Sequence, residues 1–289
     1  MGDVRILIVD NICYEMKEMT TREVQMVSLD ILKDVHDFCV KNNIKYSLCG
    51  GTLIGAIRHN GFIPWDDDVD IVMPRPEYER FIHAYKSEKG YKLFSPEVAS
   101  GTPVRIRLSK VCDMERTVMD NGAFVWTNVV TGVGIDIIPA EGAPDNEVEA
   151  KKQIEGLTRY SHLASIYRSK FSSYSEVRKY IGIRRKIKFV VKKILGVFYD
   201  ESIFIKFINF QKRYDYDSSS HFCAGFTYGM GEWQSKEIFE EFVLHRFEDS
   251  EFFVTAKYDQ YLRSLFGDYM QIPPKEKRIP HFFFKYYWK

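Results

Sequence analysis

Residues 65–74, WDDDVDIVMP, place four aspartates within five positions directly against an apolar run. Like charges this close repel, and desolvating a carboxylate without a partner costs several kcal/mol or more. Val69, Ile71, Val72 and Met73 nevertheless belong in a strand and a core. Any fold this chain adopts must bring a compensating charge to that strand.

Side chains alternate along a strand, so Asp68 and Asp70 are expected on one face while Val69 and Ile71 enter the other. If the strand extends backward, Asp66 joins the first face and Asp67 holds the loop. Alternate α-carbons lie roughly 7 Å apart, so these carboxylates can converge on one hard cation. Mg²⁺ or Mn²⁺ suits such oxygens and turns the repulsion into attraction. A third ligand is expected from TGVGIDIIP, where Asp136 sits alone among Ile135, Ile137 and Ile138. A lone carboxylate in a buried strand needs a partner.

Phosphate is the natural companion of such a site. In CGGTL, Gly50, Gly51 and Thr52 stand at a strand-to-helix junction, where glycines admit close backbone approach and free N–H groups attract anions. Arg58, Arg107 and Lys110 add cations on neighbouring elements, although a solvated surface lysine is the simpler reading of Lys110 alone.

The apolar spacing in residues 20–43 predicts an amphipathic helix capped by Thr and ending near Asn42–Asn43. A short strand, a helix from the Gly pair, the acidic strand, and a helix with Pro76 in its first turn follow. Strands are expected in YKLF, VRIRLSKVCD and GIDIIP. The tail reads as a capped helix in SKEIFEEF, a hairpin in VLHRFEDSEFFV and a helix broken near Gly267. The pattern predicts an α+β fold, a mixed β-sheet with flanking helices and a largely helical C-terminal part. We divide the chain into a catalytic core, residues 1–143, and a helical or mixed part, residues 144–289, that completes the substrate site.

A net charge of +1 argues against nucleic-acid binding driven by bulk electrostatics. Five scattered cysteines with no C-x-x-C read as reduced thiols rather than a disulfide framework or zinc site. With neither a signal-peptide pattern nor an apolar stretch long enough to span a bilayer, the expected location is cytoplasmic, with contact at the inner membrane face as an option.

GGTLIGAIRHNGFIPWDDDVDIVMPR, SKVCDMERT, GIDIIP and YLRSLFGDYMQIPPKEKR together closely resemble the LicD-type phosphocholine transferases, related to the fukutin-related proteins. The resemblance covers most of the chain in the family's order, whereas residues 145–216 carry no matching signature. It implies a nucleotidyltransferase-like fold with a Gly-Gly turn, an Asp-x-Asp strand (Asp68, Asp70) and a third Asp (Asp136). It also implies Mg²⁺ and transfer of phosphocholine from CDP-choline to a saccharide hydroxyl on teichoic acid or another surface polymer, with an acceptor that can be lipid-linked. Asp136 or Asp66 is then the expected proton acceptor. A CDP-alditol or nucleoside triphosphate donor fits the same diphosphate grip. A non-catalytic glycan-binding scaffold is the alternative from another class.

Quaternary ammonium groups are held over aromatic faces. FTYGMGEW supplies Phe226, Tyr228 and Trp233, of which Tyr228 and Trp233 are the candidates for a choline head, and Trp65 and Trp126 flank the acidic strands; ordinary core packing is the competing role. The segment RRKIKFVVKKILGVF reads either as a surface helix with its apolar stripe in the core, the favoured expectation, or as a contact with anionic lipid.

Overall fold

Val4–Val9 (β1) and Ile12–Glu18 (β2) form an antiparallel hairpin in the computed structural model of the chain, which describes residues 4–9, 12–98, 108–120, 131–170, 182–224, 228–278 and 285–289. Arg107, Trp126 and Phe226 lie outside the described residues. Helix α1 (Thr21–Lys41) begins as its sequence predicts. The Thr20 hydroxyl accepts from the Glu23 N–H while the Glu23 carboxylate accepts from the Thr20 N–H, a reciprocal cap that satisfies two helix-end groups. Leu29, Ile31, Leu32 and Val35 form its buried stripe.

The acidic motif lies in the segment that follows: β3 (Ser47–Leu48), α2 (Gly50–His59), β4 (Asp70–Pro74) and α3 (Arg75–Ala84). Next come β5 (Lys92–Phe94), β6 (Ser109–Cys112), β7 (Thr117–Asp120) and the long β8 (Gly134–Ala143). Three helices succeed them, α4 (Glu147–Ser169), α5 (Ile183–Gly196) and α6 (Ser202–Gln211). The tail comprises β9 (His221–Cys223), β10 (Gln234–Ser235), the hairpin β11 (Phe242–Phe247) and β12 (Ser250–Thr255), α7 (Tyr258–Phe266) and β13 (Lys285–Trp288). The fold is mixed α+β, consistent with a nucleotidyltransferase-like architecture.

Strand β8 is the axis of the main sheet. It pairs in parallel with β4, whose other edge carries β3 antiparallel. On its far side β8 pairs with β6 along residues 134–137 and with β9 along residues 141–143. Burial on both faces explains why β4 and β8 read as near-continuous apolar runs, with Ile71, Val72, Ile137 and Ile138 inaccessible to solvent. A second, antiparallel sheet runs β1-β2-β13-β7. Strands from beyond residue 143 thus add to both sheets: β9 and β10 to the first, β13 to the second. Arg75 at the start of α3 forms paired contacts with Glu141 on β8, and both are buried.

Three sequence expectations are adjusted. SKEIFEEF forms only a single 3-10 turn, Lys236–Phe239 capped by Ser235, because the chain turns directly into β11. The acidic strand begins at Asp70 rather than Asp68. The apolar stripe of α5 faces outward: Ile187 and Ile194 are 59% and 58% exposed, while the buried side is Phe189. Among the described residues, Cys39, Cys49, Cys112 and Cys223 are buried free thiols, as the cysteine pattern predicts. No described helix is long and apolar enough to cross a membrane.

Candidate active site

Three side chains meet in one row across the sheet. Asp70 on β4 is the register partner of Asp136 on β8, and Asp136 is the register partner of Lys110 on β6. Laterally paired residues share a face, so both carboxylates and the ammonium emerge together. Asp68 joins them from the extended segment before β4. Single carboxylate oxygens of Asp68, Asp70 and Asp136 all lie within 4.8 Å of one another. At that separation each charged pair repels by roughly 3 kcal/mol at an effective dielectric near 20.

The surrounding chain holds this arrangement. The Asp70 N–H donates to Thr52 Oγ1 at 2.9 Å, and the Asp70 carbonyl accepts from the Cys49 N–H at 3.1 Å. The Gly pair leaves room for the acids themselves. A Cβ at Gly51 would stand 2.6 Å from Asp66 Oδ2; one at Gly50, where φ is +54°, would stand 3.4 Å from Asp70 Oδ2. Asp66 and Asp70 therefore lie against the N-terminus of α2, where the helix dipole favours negative charge. Asp66 is set by a turn in which its N–H donates to the Ile63 carbonyl, and its own carbonyl accepts from Gln25.

Electrostatics mark the site as short of positive charge. Burial pushes the Asp68 carboxyl up to about 8, with the Asp136 charge adding to the shift and Lys110 opposing it. Burial and the Asp68 and Asp136 charges push Asp70 well above the usual carboxylate range. Lys110 lies 2.5 Å from Asp136 Oδ1. Burial works against its charged form, but Asp136 and Asp68 hold it above the ordinary lysine value. One ammonium cannot balance three carboxylates. The donor set, three carboxylates facing one point beside a helix N-terminus, fits a hard divalent cation with open positions for phosphate oxygens.

Other candidates are placed differently. Arg58, at the far end of α2, donates to the Tyr269 carbonyl at 2.6 Å and so ties α2 to the tail segment after α7. Tyr228 comes to the acids: burial, then the Asp70 charge, push its phenol up to about 12. Trp233 stacks on His221 with ring centroids 4.5 Å apart, and its indole N–H donates to the Pro144 carbonyl at 2.8 Å. Of SKVCDMERT, only Lys110 reaches the cluster. Asp113 accepts from the Glu115 and Arg116 N–H groups, and Thr117 donates to the Asp113 carbonyl, closing the β6–β7 turn.

The structure also brings in residues not singled out as site candidates from the sequence. Buried Glu232 accepts from the Tyr228 N–H at 2.6 Å, fixing the Tyr228 turn. Tyr261 on α7 is buried with no hydrogen-bond partner for its hydroxyl among the described residues; burial pushes its phenol well above the ordinary value, and the Glu232 and Asp70 charges add to the shift. Tyr286 on β13 feels those of Lys110 and Asp68. Glu232 stands in the FTYGMGEW stretch, and Tyr261 opens the tail motif YLRSLFGDYM. Nothing near Tyr286 in sequence signals its place.

Comparison with known proteins gives the family. A family model described as LicD/FKTN/FKRP, nucleotidyltransferase domain, matches residues 43–154, the segment that contains Asp68, Asp70, Lys110 and Asp136. The chain is 33% identical over 276 residues to the lipopolysaccharide cholinephosphotransferase LicD of Haemophilus influenzae, covering 92% of this chain and 97% of that protein. An uncharacterized protein of Rickettsia typhi is 40% identical over 83 residues, 27% of this chain and 26% of that one. With near-complete coverage of the Haemophilus protein and the acid cluster inside the matched domain, this chain belongs to the LicD family.

Proposed function

We propose that this chain is an Mg²⁺-dependent transferase that moves phosphocholine from CDP-choline to a hydroxyl of a surface-glycan precursor, releasing CMP. The observation that carries the reading is the convergence of Asp68, Asp70 and Asp136 within 4.8 Å beside Lys110. The cholinephosphotransferase name of the Haemophilus relative supplies the transferred group.

Asp68, Asp70 and Asp136 would hold the cation. When bound, it neutralises the diphosphate and the charge developing on the leaving phosphate. The acceptor oxygen bonds to the phosphorus that carries choline, the bond from that phosphorus to the bridging oxygen breaks, and CMP departs. The hydroxyl proton passes to a carboxylate. Asp136 is engaged by Lys110, so Asp66, half-buried beside Gly51, is the acceptor we assign. Lys110 offsets part of the acids' charge before the donor arrives and offers its remaining N–H groups to phosphate. The Tyr228 ring, 42% exposed beside the acids, gives the quaternary ammonium an aromatic face.

Calorimetric titration of CDP-choline, CDP-ribitol and CTP, with Mg²⁺ and then with EDTA, tests the reading. Mg²⁺-dependent binding selective for CDP-choline, with CMP released when a saccharide acceptor is added, is expected. Stronger binding of CDP-ribitol or CTP would reassign the donor while keeping the site. Absence of nucleotide binding in every condition would favour a glycan-binding scaffold.

A further inference from the structure

Helix α5 turns its apolar stripe away from the protein. It meets α4 through Lys192 and Gly196: Lys192 Nζ donates to Ser165 Oγ at 3.5 Å, and a Cβ at Gly196 would stand 2.5 Å from the Ile166 carbonyl oxygen, while Phe189 is buried on the same side of the helix. At 100° per residue the opposite side carries Ile183, Ile187, Val190, Ile194, Val197 and, just past the helix, Phe198. All six are exposed, Phe198 to 80%. An apolar ridge of this length facing water is unfavourable in a monomer unless something covers it.

The flanks identify the cover. Arg184 and Lys188 border the ridge on one side, Lys186 and Lys193 on the other, and residues 182–199 contain no acidic residue. A second copy docked ridge to ridge would bring these cations together. An anionic lipid surface instead takes the aliphatic side chains into its acyl boundary and pairs each flanking cation with headgroup phosphate. We propose that α5 is a peripheral membrane-binding helix that lies in the headgroup plane of an anionic bilayer. A lipid-linked acceptor would then be presented to the enzyme in two dimensions.

Co-sedimentation of the full chain with vesicles of 30 mol% phosphatidylglycerol in phosphatidylcholine, against phosphatidylcholine alone, is the test. The vesicles contain neither donor nor acceptor, so the outcome stands apart from the phosphocholine reading. Binding to the anionic vesicles is expected, with a loss of roughly fivefold for each flanking cation reversed, as in Lys188→Glu. Raising the salt to 0.5 M should release most of the protein. The double variant Ile187→Gln/Ile194→Gln, whose side chains are exposed and whose fold is checked by thermal melting, should lose at least about tenfold. The proposal is overturned if the wild type ignores anionic vesicles or if the double variant binds equally well. It is also overturned if light scattering finds a dimer that the double variant dissolves.

Discussion

Lys110 and Asp136 stand opposite each other on the antiparallel strands β6 and β8, with the ammonium 2.5 Å from a carboxylate oxygen. This pair sets one positive charge against the three carboxylates of the cluster. Lys110→Met should therefore destabilise the protein in EDTA by about 1–2 kcal/mol, discounted from the value for a fully buried pair because the lysine is one-third exposed. Saturating Mg²⁺ should shrink that loss, since the cation replaces the missing charge. Urea unfolding of both proteins under both conditions measures the difference; an equal loss with and without Mg²⁺ would contradict the assignment.

Asp68→Asn and Asp70→Asn each remove one of three mutually repelling carboxylates. Transfer should fall about a thousandfold or more, because positioning and charge neutralisation supply most of such catalysis. The thermal midpoint in EDTA should hold or rise. Mg²⁺ at a hundred times its dissociation constant should stabilise the wild type by about 2.7 kcal/mol. It should do little for either variant. Calorimetry of the three proteins with and without Mg²⁺ checks both effects, and substantial turnover in either variant would remove the metal assignment.

Gly50 and Gly51 should respond differently to alanine. Gly50→Ala forces a side chain into the left-handed region at φ +54° and should cost about 1–2 kcal/mol of stability. Gly51→Ala meets the Asp66 carboxylate at 2.6 Å, so that short side chain must move. Its main effect should be on kcat. Denaturant unfolding and steady-state rates separate the two variants, and an unchanged kcat in Gly51→Ala would leave Asp66 without a role in proton transfer.

Glu23 ties α1 to the C-terminal strand that brings Tyr286 to the site: it accepts from the Thr20 N–H and hydroxyl, from Lys17 and from the Trp288 indole. The Thr20 bonds, backbone first, hold its carboxyl down at about 2, against an ordinary value near 4.5. A carboxyl with a lowered value in the folded state stabilises that state fully above about 4.5, and the stabilisation is lost as pH falls toward 2. Glu23→Gln should flatten the acid limb of the stability curve in that window. Thr20→Ala should cost about 1 kcal/mol at neutral pH. Melts between pH 2 and 6 report both; an acid limb unchanged in Glu23→Gln would exclude Glu23 as its source.

Whatever rests on neighbours a few residues apart is legible in the chain alone. Thr20 and Glu23 announce a capped helix, Gly50–Gly51 a strand-to-helix turn, and Asp68 and Asp70 a shared side of an extended segment. A lone Asp136 among isoleucines announces a charge that needs a partner. Each follows from chain periodicity and the expense of burying an unsatisfied carboxylate.

Which partner arrives depends on how distant strands and helices pack. Lys110 reads as an ordinary strand lysine until β6 pairs with β8. Tyr286 is an aromatic in a tail until β13 crosses between β2 and β7. Arg58 becomes a tie to the tail through a carbonyl 211 residues away. The apolar stripe of α5 looks the same in sequence whether it is buried or bare, because helical spacing states which side chains share a face. Only packing, here through Gly196 onto α4, decides what covers that face.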